Sequence, residues 1–262
     1  SPMKLIHVTD PHLVSPGKPL WDLDAAARLD ACLEDIAKWH GDADFCVVSG
    51  DLTDKGAPDS YNWRKDRLDR FPLKTFLMLG NHDERDAFRA ALPNHAVDEA
   101  GFVQQSHQTD AGTFLFLDTK KAGRVSEGEL CATRRDWLER QLREAGTQPV
   151  YIFMHHPPCD IGVAYMDRIK LDDAETFGDL VAEAGNVKHI FFGHVHRPSY
   201  INWRGIPCTS LPGTNHQVPL VRESVGTAYS QEPPGYGIVT IGEDCIAVHF
   251  DACLNRSPVI GT

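Results

Sequence analysis

Apolar and polar positions along this chain follow two periods, and the periods take turns. Residues 4–9 (KLIHVT), 44–49 (DFCVVS), 74–78, 150–154 and 187–192 are short apolar runs of strand length. Between them the spacing becomes helical. Residues 23–40 carry Leu29, Leu33, Ile36 and Trp39, and residues 133–145 carry Trp137, Leu138 and Leu142 on one face. Residues 61–70, 84–92 and 174–184 also read as helices. Residues 102–107 and 113–118 read as a strand pair across Asp110-Ala-Gly112.

The last third changes character. Residues 200–203 and 206–209 flank Arg204-Gly205, and residues 236–241 and 245–250 flank Gly-Glu-Asp, so both pairs predict hairpins. The polar stretch 217–235 reads as a long loop. Alternating βα units followed by hairpins predict an α/β sandwich of two mixed β-sheets with helices outside. Residues 3–213 are expected to form the core. Residues 214–262 are expected to be a continuous extension that caps the site or makes an oligomer contact.

Composition narrows the function classes. The chain has 262 residues, 42% of them hydrophobic and 24% charged, which suits a globular protein with one large core. No apolar run approaches the ~20 residues that span a bilayer, so no membrane partner is expected. The net charge of −11 argues against a nucleic-acid polymer as partner. Ser1-Pro2 ahead of Met3 reads as an expression remnant, and no signal-peptide core follows. Seven cysteines stand singly, without a CxxC pair. Buried, unpaired thiols in a reducing cytoplasm are therefore expected.

Histidine carries the chemistry. Five segments each follow an apolar run: Asp10-Pro-His12, Gly50-Asp51-Leu-Thr-Asp54, Gly80-Asn81-His82-Asp83, His155-His156-Pro-Pro158 and Gly193-His194-Val-His196. Strand ends that open onto loops are the usual ligand edge of an α/β sheet. Carboxylate, imidazole and amide side chains are metal ligands. Asp10/His12 and His194/His196 are two residues apart, a spacing that points both side chains one way in extended chain. The glycines before Asp51, Asn81 and His194 suit sharp turns or close backbone approach. Taken singly, each segment could be an ordinary turn, cap or core pair. Together, in register with five strand ends, they point to one site. Asp54 and Asp83 are candidates to orient histidines, with capping as the alternative. Asp118 is expected to stay outside the site.

The ordered set resembles the calcineurin-like metallophosphoesterases, whose blocks read DxH, GDxxD, GNH[DE], H and GHxH. Phe153-Met-His-His-Pro-Pro158, Leu211-Pro-Gly-Thr-Asn-His216 and Gly128-Glu-Leu130 are similar to the bacterial cyclic-nucleotide phosphodiesterase and glycerophosphodiesterase branch. Protein phosphatases of the family, with GDxxDRG and GNHE, are less similar. The resemblance implies two transition-metal ions, from among Mn, Fe, Zn and Co. Asp10, His12, Asp51 and His196 would bind one; Asp51, Asn81, His155 and His194 would bind the other, with Asp51 as the bridge. It prefers His155 to His156, and places His82 and His216 at the substrate phosphate, His82 as a catalytic group.

The implied activity is hydrolysis of a small phosphodiester, with a metal-bound hydroxide as nucleophile and no covalent phospho-enzyme. Cyclic nucleotides (3′,5′ or 2′,3′) lead. Glycerophosphodiesters, and broader phosphodiester or phosphonate-ester substrates, are alternatives. A non-catalytic metal-binding scaffold is a further alternative, disfavoured because every ligand and His82 are present. Trp21, Tyr61, Trp63 and the 217–235 stretch are expected around the leaving group, and a homo-oligomer (dimer or higher) is expected.

Overall fold

The fold was obtained as a computed structural model, which describes residues 1–220 and 228–261, the side chains of Trp63 and Arg64 excepted. In chain order the elements are β1 (Met3–Val8), α1 (Ala25–His40), β2 (Phe45–Val48), α2 (Pro58–Arg70), β3 (Thr75–Leu77), α3 (Arg85–Ala91), β4 (Gln105–Thr109), β5 (Gly112–Phe116), α4 (Ala132–Ala145), β6 (Val150–Met154), α5 (Ala164–Asp167), α6 (Ala174–Ala184), β7 (Val187–Phe192), β8 (Ser199–Trp203), β9 (Ile206–Ser210), β10 (Gly235–Ile241) and β11 (Ile246–Ala252).

Two sheets form. One has the order β11-β10-β1-β2-β3, the other β4-β5-β6-β7-β9-β8. Strands β1, β2 and β3 run parallel, as do β5, β6, β7 and β9. Hairpin partners make the edges antiparallel, which gives two mixed sheets. The reason lies in alternation: a strand covered on both faces reads as a continuous apolar run. Leu5 faces inward with Phe45, Phe76, Phe114 and Phe153 to fill the space between the sheets. Its neighbours Ile6 and Val8 face outward, under Leu29, Leu33 and Ile36 of α1. On the other side Ile152 and Ile190 pack with Leu138 of α4 and Phe177 of α6.

Asp24 caps α1 by accepting from the Ala27 N–H. One residue of the expected α1 stripe misses the core: Trp39 is 58% exposed, with Lys38 over its ring. The short helix α5 has no sequence signal, since four residues cannot establish a period. Of the expected 217–235 loop, Gln217 and Ser230 form an antiparallel bridge, and residues 221–227 lie outside the described part.

The expectation of unpaired thiols is corrected at one pair. Cys32 of α1 and Cys253, just beyond β11, are joined by a disulfide across 221 residues of sequence. Scattered cysteines carry no sequence signal of pairing, because it is the β10–β11 hairpin that returns the chain to α1. Among the others, Cys46 and Cys208 are buried thiols. No helix among the described residues is long and apolar enough to cross a membrane.

Candidate metal centre

Parallel strands deliver the polar segments to one edge. Asp10 and His12 follow β1, Asp51 follows β2, Asn81 follows β3, His155 follows β6 directly, and His194 and His196 follow β7. Asp10, His12, Asp51 and His196 converge so that one potential ligand atom from each lies within 4.8 Å of the others, and Asp51, His155 and His194 do the same. Asp51 belongs to both groups.

The local backbone corrects the expected geometry. Ten non-glycine described residues have positive φ, and Asp10, His12, Asp51, His194 and His196 are five of them. The i, i+2 pairs therefore reach one region through left-handed kinks and not through strand alternation. Such φ values cost energy for non-glycine residues and cluster where function demands them. Close approach fixes two glycines: a Cβ on Gly80 would lie 2.2 Å from Asp51 Oδ1, and one on Gly193 would lie 2.1 Å from Thr9 Oγ1.

Hydrogen bonds set the ring orientations. His12 Nδ1 donates to Asp54 Oδ1 at 3.1 Å, His155 Nδ1 to the Ser49 carbonyl at 2.7 Å, and His196 Nδ1 to the His216 carbonyl at 2.7 Å. His194 uses Nε2 instead, donating to the Ile169 carbonyl at 3.0 Å. Each ring thereby turns its other nitrogen toward the grouped ligand atoms, the arrangement by which outer partners orient metal-ligating histidines. His156 differs. Its Nε2 donates to the Ser126 carbonyl at 3.1 Å and its Nδ1 accepts from Thr119 Oγ1 at 2.7 Å, so neither nitrogen is free.

The centre gathers carboxylates and imidazole nitrogens that call for positive charge between them. His12 Nε2 and His196 Nε2 lie 3.3 Å apart, and two lone pairs at that distance repel unless a proton or a cation lies between them. Asp10 Oδ1, His155 Nε2 and Asn81 Oδ1 are buried without a hydrogen-bond partner among the described residues. His196 Nε2 is 3.1 Å from Asp10 Oδ1, and His155 Nε2 is 3.3 Å from Asp51 Oδ2. Burial opposes charge on His12, but Asp10, Asp54 and Asp51 outweigh it and raise the ring to about 10. Asp51 and Asp10 likewise raise His155 to about 9 against burial. Against the same cost, the surrounding histidines hold Asp10 well below the carboxylate range, and Asp51 below it too. In the metal-free protein, protons occupy positions that suit cations. The residues present fit a metal centre.

The remaining candidates take distinct places. His82 is 39% exposed at the side chain; its Nδ1 donates to the Asp54 carbonyl at 2.8 Å, and its backbone N–H donates to Asp51 Oδ1 at 2.9 Å. Its ring stands edge-on to His12, with centroids 4.7 Å apart. His216 is buried, 4.8 Å from His12 and 4.6 Å from His196 between centroids, and burial pushes it down to about 2. Its Nδ1 accepts from Asn215 Nδ2 at 3.1 Å.

Asp54 orients His12, whereas Asp83 orients no histidine. Asp83 accepts from the backbone N–H groups of Leu52, Thr53 and Gly80 and from the Tyr61 hydroxyl, and so ties the second segment to the third. Tyr61 is accordingly fully buried and cannot meet a leaving group. Trp63's side chain lies outside the described residues. Trp21, 52% exposed, stands 4.6 Å from Tyr229 between centroids, and Tyr229 packs edge-on to His216 at 4.7 Å. Asp118 stays outside the site, paired with Arg85 at 2.8 and 2.9 Å. Sequence reasoning missed Lys120, which is buried and donates to the carbonyls of Asn81 and Gly123 at 3.0 and 2.9 Å. Its signal was one more polar residue after an apolar run, here β5.

Carboxylates and imidazoles gathered at the strand ends of a two-sheet sandwich define a metal-dependent phosphoesterase. The comparisons agree. Residues 3–198 match the calcineurin-like phosphoesterase family, and the chain belongs to it. It is an enzyme of the metal-dependent phosphodiesterase class. A relative in Rhodopseudomonas palustris named a probable cyclic nucleotide phosphodiesterase is 38% identical over 98% of this chain and 95% of its own length. The glycerophosphodiester phosphodiesterase GpdQ of Enterobacter lignolyticus is 31% identical over 88% of this chain and 84% of its own. Among solved structures, a dimetal phosphatase from Danio rerio shares the fold, with a TM-score of 0.73 at 15% identity, covering 97% of this chain and 98% of that one.

Proposed function

We propose that the enzyme hydrolyses small phosphodiesters with a nucleoside arm, cyclic nucleotides foremost. The observation that carries the substrate class is the aromatic wall of Trp21, Tyr229 and His216, which runs from the exposed rim to the His12 and His196 rings. A nucleobase has a flat face to stack on such a wall; a glycerol head group does not. The name of the 38%-identical relative supports this reading. The name of the 31%-identical relative supports a second one, glycerophosphodiesters.

In this reading Asp10, His12, Asp51 and His196 hold one ion, and Asp51, Asn81, His155 and His194 hold the other. Bound there, two divalent cations would offset the phosphodiester's charge and make water acidic enough to attack near neutral pH. The chain's own groups do the rest. The Nδ1 proton of His82 is committed to the Asp54 carbonyl, so Nε2 is the atom that can carry a proton to the leaving oxygen. With Nδ1 of His216 accepting from Asn215, the proton of this neutral ring sits on Nε2, which donates toward the phosphate. Trp21 and Tyr229 hold the base and exclude water on that side.

The test is kcat/KM of the Mn²⁺-loaded enzyme on 3′,5′-cAMP, 2′,3′-cAMP and glycerophosphoethanolamine, for wild type and Trp21→Ala. Stacking on an aromatic is worth ~1–3 kcal/mol, so the substitution should cost both nucleotides roughly 5- to 150-fold and the glycerol ester little. Equal loss on all three, or a wild-type preference for the glycerol ester, contradicts the nucleotide reading.

A further inference from the structure

Beside His82 and Asn81 lies a pocket of about 250 Å³ lined by Asp54, Lys55, Asn81, His82, Arg124 and Ser126, with Glu84 and Val125 also at its edge, and none of the aromatic-wall residues lines it. Its outer wall is built onto the metal centre. Lys120 ties Gly123 to the Asn81 carbonyl, as described above. At the other end of the same turn, the Ser126 carbonyl accepts from His156 Nε2. Arg124 and Val125 lie between these two clamps, so the turn that carries the guanidinium is fixed relative to Asn81 and His155-His156. Across the pocket, Lys55 follows Asp54, whose carbonyl holds His82.

The charges at this pocket are unequal in what they already do. Asp54 is engaged by His12 at 3.1 Å. Among the described residues no ion pair or hydrogen bond involves the side chains of Lys55 or Arg124, both exposed, in a chain of net charge −11. Glu84 also lines the edge, and among the described residues no hydrogen bond or ion pair engages its carboxylate. Two cations at a partly enclosed rim attract an anion and steer it inward.

We infer that this pocket is a subsite for a second anionic group, so that the enzyme also acts on linear phosphodiesters whose arm beyond the scissile phosphate ends in a phosphoryl or carboxylate group. The inference rests on the phosphodiesterase reading above and extends it. The aromatic wall takes a planar arm, the metal centre takes the scissile phosphate, and Arg124 with Lys55 takes the charged end of the other arm. Arg124 suits either anion, because its planar fork can bind two oxygens at once.

Three p-nitrophenyl phosphodiesters test this, with methyl, carboxymethyl and 2-phosphoethyl as the second arm, assayed with Mn²⁺ at low and moderate salt. The leaving group is constant, and the two charged arms separate carboxylate from phosphoryl. The charged esters should exceed the methyl ester in kcat/KM by about 3- to 10-fold, the scale of one or two partly exposed charge contacts. Arg124→Ala with Lys55→Ala should remove that preference and leave the methyl ester unchanged. Glu84→Gln should raise it, and added salt should lower it. Turnover of the methyl ester with no preference for charged arms, or a preference that survives the double substitution, overturns the subsite alone. Failure to turn over any of the three overturns the phosphodiesterase reading and the subsite with it.

Discussion

Two regions of this molecule bury histidine, and only at the strand ends are any of the rings raised. Between the sheets, His7 of β1 packs edge-on against Phe153 and bonds Ser49 Oγ at 2.6 Å, while His189 of β7 stacks on Phe191 and bonds Thr209 Oγ1 at 2.9 Å. Burial pushes these rings down to about 3 and about 4, so both are neutral at neutral pH. At the strand ends, His12 and His155 are equally buried and move the other way, to about 10 and about 9. The difference is the carboxylates of Asp10 and Asp51, which face His12 and His155 and make a proton the cheapest available cation there. Burial alone keeps a ring neutral; at His12 and His155 the carboxylates outweigh it, whereas His194, beside the raised His155, is pushed down to about 3 by burial and by that neighbour.

The largest effect expected from breaking this contrast is at Asp51, the residue common to both groups. Asp51→Ala should lower metal content at both positions and cut kcat/KM by at least ~10³-fold, since the metals supply several kcal/mol of transition-state stabilisation. His189→Gln, in the other region, should leave metal content and turnover close to wild type. Elemental analysis beside the assay decides; a normal metal content in Asp51→Ala would dissolve the contrast.

Next comes His82, whose backbone N–H serves Asp51 and whose Nδ1 serves the Asp54 carbonyl. His82→Ala should keep the metals and lower kcat by roughly 10²–10⁴-fold on alkoxide leaving groups, with a smaller loss on p-nitrophenolate. Equal loss on both kinds of ester would make His82 a phosphate-positioning residue and not a proton donor.

A smaller effect is expected where the partner of a histidine changes and the histidine stays. Asp54→Ala removes the acceptor of the His12 Nδ1 proton. Metal affinity should fall by roughly 10- to 100-fold, the usual cost of losing such a partner. Titration with Mn²⁺ reads it, and unchanged affinity would show that the His12 ring holds its place without Asp54.

The smallest effect on activity should come from reducing the Cys32–Cys253 disulfide, which ties the end of the chain to α1. Closing so long a loop is worth about 2–4 kcal/mol, so thermal stability should fall. Turnover at 25 °C should hold, because neither cysteine lies among the groups gathered at the strand ends. A comparable loss of turnover would tie the disulfide to the metal centre.

Much of this was legible in the sequence because strand ends leave a local trace. The apolar runs ending at Val8, Val48, Leu77, Met154 and Phe192 each precede a polar segment, and parallel pairing turns five scattered segments into one edge. What was not legible depends on contacts between distant segments. The left-handed kinks at Asp10, His12, Asp51, His194 and His196 carry only a weak propensity signal, because Asp and His enter that region more readily than most residues but far less readily than glycine. Nothing local distinguishes His155 from His156; the difference is that Thr119 and Ser126 occupy both nitrogens of His156. Tyr61 reads in the sequence as a leaving-group contact, but in the fold its hydroxyl donates to Asp83. The disulfide, likewise, follows from where a hairpin ends and not from cysteine spacing.

The claim that His12 and His155 hold protons in place of metal also sets a sign for pH. Groups raised in the folded state add stability below their unfolded value of 6.5 and lose it as pH rises through about 9 to 10, so the metal-free protein should weaken over that alkaline range. Metal binding must displace the same protons. Isothermal titration of the metal-free protein with Mn²⁺ at pH 8, in two buffers of different ionisation enthalpy, counts ions and protons together. The account predicts two ions per chain and the release of about two protons, from His12 and His155. Binding without proton release, or no binding, would contradict it.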